Sequence, residues 1–455
     1  MCPGSNPGGG TISHSAALES PPAAACYRAA ANRPTDRPSL DHRVPGTEEH
    51  PLTSLLDGIR VLDLSDWIAG SYCSRLLADY GATVTKVEAP EGGRIRHHAP
   101  YADDQPDAER ALLSLHLNAN KRDVTLDIET ARGQELVDAL AAQSDIVIDD
   151  RGPDVLDELG IGWDALSEGR DDLVMASITP FGLTGPWRDY RASELTLQAM
   201  GGPLHVNGSP DREPTKSGGY VAHIHAGISA AFGIMLARLR VEAGGVGDRI
   251  DLAIYETQSG FRDRRTPSLL GAAYAGYPAK PQAGGGGVGR GVRPASDGYV
   301  NILGHSPRYF DKFLELIGRS DLSEHDDAKL PPAQMSQAFV DEIEATYLTW
   351  LLARTKQQVV VETQAIGALG GAIYTTEDLL KDPHYRGRGV WDTIDHPVAG
   401  PAEHAGRQLI LSQSTRGPVA PAPLLGQHNE QVLVTELGLD REEFEELRTT
   451  GVVGS

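Results

Sequence analysis

The residues whose types could carry acid–base or nucleophilic chemistry gather between positions 191 and 225: Arg191, Glu194, His223 and His225. An imidazole can act as base or nucleophile near neutral pH. A lone histidine opening a helix reads equally well as a cap or a packed side chain. Glu194, in YRASELTLQAMGG, is a carboxylate at a helix start, where the dipole favours it with or without a function. Arg191 could hold a phosphate or simply be solvated. His223 and His225 stand two apart, which does not put both on one helical face for a shared metal. No H-E-x-x-H and no G-x-S-x-G occurs, which excludes the commonest zinc-protease and serine-hydrolase signatures.

Two further segments bear on phosphate. The turn DLSDWIAGSYC has a single glycine where a dinucleotide fold wants G-x-G-x-x-G, so NAD and FAD are disfavoured. It still leads into a helix N-terminus, which suits an anionic nucleotide, and it reads equally as an ordinary strand-to-helix turn. Gly284, Gly285, Gly286 and Gly287, followed by Gly289 and Gly291, lack a preceding strand and a following G-K-[ST]. A Walker loop is therefore not expected. The run is either a lid that can fold over a ligand or a linker.

The elements that must position these residues alternate. IRVLDLS, TVTKVEA, VTLDI, DIVIDD, LVMASIT and RIDLAIYE read as buried strands; SYCSRLLADYG, TARGQELVDALAAQ, a short stretch after Pro153 and HAGISAAFGIMLARLRVE read as helices. Strand–helix alternation predicts a doubly wound α/β domain with a parallel sheet over residues 53–260. Residues 261–296 are rich in Gly and Pro and read as a linker and mobile loop. A smaller α+β domain is expected over 297–385, with the strand GYVNILG and helices over RYFDKFLELIG and QAFVDEIEATYLTWLLAR. Residues 386–455 form a C-terminal segment. Residues 1–52 lack periodicity and read as a disordered tail, or as the product of a start codon placed too early.

The chain has 455 residues and a net charge of −22, from 41 Lys+Arg against 63 Asp+Glu. That field repels nucleic acid and anionic membrane, so an anionic ligand needs a locally basic site. Cys2, Cys26 and Cys73 make no disulfide framework and no C-x-x-C. No apolar run approaches the ~20 residues of a membrane span, and no signal pattern opens the chain. A cytoplasmic protein is expected.

LLDGIRVLDLSDWIAGSYCSRLLADYGATVTKVEAPEGG, LNANKRDVTLDIETARG, FGLTGPWRDY, LQAMGG, KDPHYRGRG and APLLGQHNEQVL occur in one order, and together they resemble the class III CoA-transferase family over about residues 54–453. That family includes formyl-CoA and carnitine CoA-transferases and α-methylacyl-CoA racemase. The resemblance implies a Rossmann-like large domain completed by both chain ends, a smaller central domain, and two subunits threaded as interlocked rings. It implies acyl-CoA and a small carboxylic acid as substrates, with no tightly bound cofactor and no metal. CoA contacts are implied at Ile68, Ala69, Asn120, Lys121 and Arg191, with Arg94 and Arg96 as additions. Ala89 stands where relatives often have a basic residue.

In that family an aspartate attacks the donor thioester and passes through a mixed anhydride and an aspartyl-CoA thioester, while a glycine loop closes. AGGGG at 283–287 resembles the loop. The aspartate lies in a G-D-x-x-x-G stretch after LQAMGG; here the stretch reads YVAHIHAG and His223 takes its place. One reading keeps CoA transfer, with His223 or Glu194 in the aspartate's role, or gives thioester hydrolysis. A racemase uses a His/Asp couple, but this chain has replaced the aspartate and carries Ser193 at the histidine position, which weighs against it. The alternative is a catalytically silent CoA-binding subunit, including one that pairs with an active paralogue in a heteromer. The remaining reading, a scaffold without CoA binding, is opposed by Lys121, Arg191 and the glycine loop.

Overall fold

The computed structural model describes residues 54–208, 211–260, 273–274, 276, 288–304, 306, 308–414 and 419–454. The expected tail 1–52 and the glycine run 284–287 lie outside the described residues. Six strands make one parallel sheet: β1 (Arg60–Asp63), β2 (Thr83–Glu88), β3 (Arg122–Thr125), β4 (Ile146–Asp149), β5 (Val174–Thr179) and β6 (Asp248–Ala253). Their order is β3-β2-β1-β4-β5-β6, so the winding reverses between β1 and β4. The central strands β1, β4 and β5 are buried almost throughout because both faces are covered.

Alternation sorts their side chains. Val61, Ile146 and Ile148 face helices α1 (Ile68–Asp79) and α4 (Val221–Glu242), whereas Leu62 and Val147 face α2 (Ala131–Ala142) and the terminal helix α9 (Arg441–Thr450). Between β5 and α4 lies the short helix α3 (Glu194–Met200). The chain's last residues join the second face: Phe444, Leu447 and Val453 are core, and Asn429 accepts the Thr125 N–H at 2.8 Å and donates to Thr125 Oγ1 at 2.8 Å. This covers β3, an edge strand whose unpaired groups would otherwise be exposed.

β6 ends at Ala253, and Ile254 opens helix α5 (Ile254–Gly260), so the YE of RIDLAIYE is helical rather than extended. A second correction concerns the linker. β7 (Arg290–Ala295) lies inside the expected linker and pairs with β8 (Gly298–Leu303), which pairs in turn with β9 (Leu369–Ile373). Gly291 and Pro294 hid this strand; as the edge of a three-stranded sheet it tolerates both. Helices α6 (Phe310–Leu316), α7 (Gln337–Leu352) and α8 (Lys356–Ala365) share a separate core with this sheet through Phe313, Tyr347 and Val359. A two-stranded antiparallel hairpin, β10 (Trp391–His396) and β11 (Gly400–Ala405), follows.

Contrary to the sequence expectation, α4 is by length and composition apolar enough to cross a membrane. Its Ala226, Ala230 and Ile234 are core residues against α1 and the sheet, whereas Phe232, Leu236 and Leu239 are exposed.

Candidate active site

The N-terminus of α4 has no cap of its own: Tyr220 precedes it and its side chain caps no N–H. Its free N–H groups must find acceptors elsewhere, and a neighbouring helix supplies one. α3 starts on a capping box in which Ser193 and Thr196 satisfy each other's backbone N–H, and this places Glu194 in its first turn. Glu194 Oε1 accepts the Ala222 N–H at 2.8 Å and Gln198 Nε2 at 2.6 Å; Oε2 accepts His223 Nδ1 at 2.7 Å. Both Glu194 and His223 are buried. Burial would raise the carboxyl's pKa, but the hydrogen bonds from His223, Ala222 and Gln198 outweigh it and hold Glu194 below its ordinary value. An ionised Glu194 requires Nδ1 to donate, which leaves Nε2 as the lone-pair nitrogen.

The His223 ring meets Trp67 edge-on at 6.4 Å between centroids and Tyr220 at 6.1 Å. Trp67 also meets His98 at 5.1 Å, and His98 Nε2 is hydrogen-bonded to the Tyr220 hydroxyl at 2.6 Å. The Arg94 guanidinium lies 3.8 Å over the Trp67 ring. Turns following β1 and β2 thus deliver Trp67, Arg94 and His98 to the start of α4. Sequence reading missed His98 and Tyr220, since only the fold brings them to Trp67.

Several of the expected ligand contacts have partners within the chain. The anion site at the start of α1 is already filled by the chain's own carboxylate: Asp150, one residue beyond β4, accepts N–H groups of Asp66 at 2.7 Å, Trp67 at 3.0 Å and Gly70 at 2.9 Å. Ile68 and Ala69 turn their side chains into the core. Lys121 is buried, with Nζ donating to Asp63 Oδ2 at 3.0 Å, the Ser71 carbonyl at 3.0 Å and Asn118 Oδ1 at 3.2 Å. Burial brings its pKa down to about 8 despite Asp63.

Arg96 is buried too, ion-paired with Glu88 and with Glu109 at 2.9 Å. Asn120 donates to Asp79 Oδ1 at 2.6 Å and accepts the Ala420 N–H at 2.7 Å. The side chains of Lys121, Arg96 and Asn120 thus hold partners within the fold. Arg94 and Arg191 remain exposed. Among the described residues, no group of three His, Cys, Asp or Glu side chains could hold a metal ion.

Comparison with known proteins matches residues 56–429 to the model of CoA-transferase family III. A formyl-CoA:oxalate CoA-transferase of Streptomyces avermitilis is 32% identical over 425 residues, covering 88% of this chain and all of the relative. A succinyl-CoA–D-citramalate CoA-transferase of Chloroflexus aurantiacus is 29% identical, covering 88% of this chain and 98% of the relative. The crystal structure of a CaiB/BaiF family protein from Brucella suis superposes with a TM-score of 0.73 at 27% identity, over 85% of this chain and 100% of that one. With its doubly wound sheet and a family match running from before β1 to the segment that covers β3, this chain belongs to CoA-transferase family III.

Proposed function

We propose that this chain moves CoA from an acyl-CoA donor to a carboxylic acid, with His223 as the group that takes the acyl and Glu194 as the residue that orients it. The observation that carries this reading is the buried 2.7 Å contact between Glu194 Oε2 and His223 Nδ1. It leaves Nε2 as the lone-pair nitrogen of a ring that meets Trp67 edge-on. The names of the relatives, which pair formyl-CoA with oxalate and succinyl-CoA with D-citramalate, support a thioester donor and a carboxylic acid acceptor.

The electron count closes without a net proton. His223 Nε2 adds to the thioester carbonyl, the C–S bond breaks, and CoA leaves as thiolate from an acyl-imidazolium whose Nδ1–H remains hydrogen-bonded to the Glu194 carboxylate. The acceptor carboxylate attacks that acyl group, which returns the imidazole and gives a mixed anhydride. The CoA thiolate then attacks the acceptor's carbonyl, forming the new thioester and releasing the donor acid. Water in place of the acceptor carboxylate would give hydrolysis.

CoA itself is assigned to the large domain, residues 53–260 with the C-terminal segment 386–455. Arg191, exposed before α3, is its proposed contact. The two subunits are proposed to interlock as a homodimer in the cytoplasm; a row of apolar side chains on α4, Phe232, Leu236 and Leu239, each more than half exposed, supports a contact between subunits.

Acyl-CoA donors and acid acceptors incubated with wild type, His223→Ala and His223→Asp, with CoA esters followed by mass, test the reading. Transfer by wild type that falls on the order of 10²-fold or more in the alanine variant is expected. An inert wild type whose His223→Asp variant transfers would overturn it in favour of a silent CoA-binding subunit.

A further inference from the structure

We infer that Gln198, which bonds to Glu194 rather than to His223, is a positioning residue for CoA transfer: it holds the Glu194 carboxylate in the orientation that presents Oε2 to His223 Nδ1. The inference rests on the CoA-transfer reading of the same site and adds a residue to it. Gln198 lies four residues after Glu194 on α3, the spacing that puts two side chains on one helix face. Its Nε2 donates to Glu194 Oε1 at 2.6 Å. The residue is 0% exposed, so both ends of its amide must find partners inside the protein.

The other end decides which way the amide points. Gln198 Oε1 accepts the Ser217 N–H at 2.9 Å, and Nε2 also reaches the Ser217 carbonyl at 3.4 Å. A backbone N–H needs the oxygen, which leaves the amino group to face the carboxylate; turning the amide round would set oxygen against oxygen. Ser217 belongs to the approach to α4, where Lys216 Nζ donates to the carbonyls of Ser217 at 2.9 Å and Gly219 at 3.1 Å. Gln198 therefore joins α3, the approach to α4 and the carboxylate between them.

On Glu194 the bonds divide by oxygen. Oε1 takes Gln198 and the Ala222 N–H at 2.8 Å, and Oε2 takes His223 Nδ1 at 2.7 Å. The torsion that turns a glutamate carboxylate has no sharp minimum of its own, so hydrogen bonds set its plane. Gln198 also acts on charge. Of the donors that hold the Glu194 carboxyl below its ordinary value, His223 alone is titratable, and Ala222 and Gln198 are uncharged. Tyr220 is the further titratable ring against His223. A carboxylate that loses a donor favours a proton on itself or on the imidazole bonded to it. Loss of Gln198 therefore raises the pH at which the pair takes up its proton, and that proton occupies Nε2.

Two readouts on the full chain test this. One is kcat and KM against pH, with the donor and acceptor that wild type turns over. The other is the titration of the His223 ring by nitrogen-15 NMR, its signal assigned by its loss in His223→Ala. Gln198→Met keeps the length of the side chain without its amide. In it kcat should fall about tenfold or more, the scale of one hydrogen bond to a charged group, while KM stays within about twofold. The acid limb of kcat and the His223 titration should both move to higher pH. Gln198→Glu, of the same shape as glutamine, should move both in the same direction, because two carboxyls in contact share a proton.

A fall in kcat with the acid limb and the His223 titration unmoved would overturn the inference, since a purely structural loss changes the amount of working enzyme and not its protonation. Variants that match wild type in both readouts would overturn it too. A wild type that transfers nothing, while Gln198→Met still shifts the His223 titration, sinks the catalytic reading and leaves the hold of Gln198 on the pair. Transfer that depends on His223, with a titration indifferent to Gln198, does the reverse.

Discussion

At the scale of single residues, Glu194 serves two ends at once: it caps α4 through Ala222 and fixes His223 through Nδ1. Its folded-state pKa lies below the ordinary carboxylate value, against the pull of burial, because three donors converge on it. A depressed carboxyl contributes stability that is complete above the unfolded value of about 4.3 and is lost as pH falls through the folded one. Glu194→Gln should therefore lower unfolding stability by roughly 2 kcal/mol at pH 7, the range for hydrogen bonds to a charged group. The gap from wild type should narrow when urea titrations are repeated at pH 3; a gap independent of pH would show that the carboxylate's charge is not what stabilises α4. The variant should also transfer CoA far more slowly while still binding it. Sequence reading reached His223 and Glu194 separately but not their contact, which joins residues 29 apart through two helix starts. The burial of Lys121 and Arg96 was not legible, because a basic residue near a strand end shows no sign of its buried carboxylate partners, Asp63 and Glu88.

At the scale of elements, hydrophobic runs were enough to locate the six strands and the helices around them, because burial on both faces leaves a strong signal. Strand order was not legible, nor was the role of Asp150, whose bonds to Asp66 and Trp67 span more than 80 residues. β7 escaped because backbone pairing, not side-chain pattern, defines it. The contact between α1 and α4 sets the distance from Trp67 to His223, and Gly227 sets that contact. A methyl group there would lie 2.7 Å from the Ala69 carbonyl oxygen and 3.1 Å from the Tyr72 ring. Helix propensity alone favours alanine over glycine by about 1 kcal/mol. The clash is with main chain, which cannot rotate away, so it dominates. Gly227→Ala is expected to destabilise the protein by about 1–3 kcal/mol, as overpacking does, and to reduce transfer by pushing His223 away from Trp67. An unchanged or raised melting temperature would mean that the two helices separate freely.

At the scale of the whole molecule, α4 links the site to assembly. Its first turn carries His223, its inner face packs on the sheet, and its outer face exposes Phe232, Leu236 and Leu239 at helical spacing. Apolar groups of this size in one row are not left in water without reason, and a net charge of −22 keeps the chain soluble without hiding them. If a second subunit covers this row, wild type should run as a dimer by light scattering, and a Phe232→Glu, Leu236→Glu variant should fail to assemble. Interlocking adds a sharper test, because linked rings part only when one chain unfolds. Two populations carrying different tags, mixed under native conditions, should then exchange no subunits until denaturant reaches the unfolding transition. Exchange well below that transition would leave the dimer intact but remove the interlock, since ordinary face-to-face subunits separate by diffusion alone.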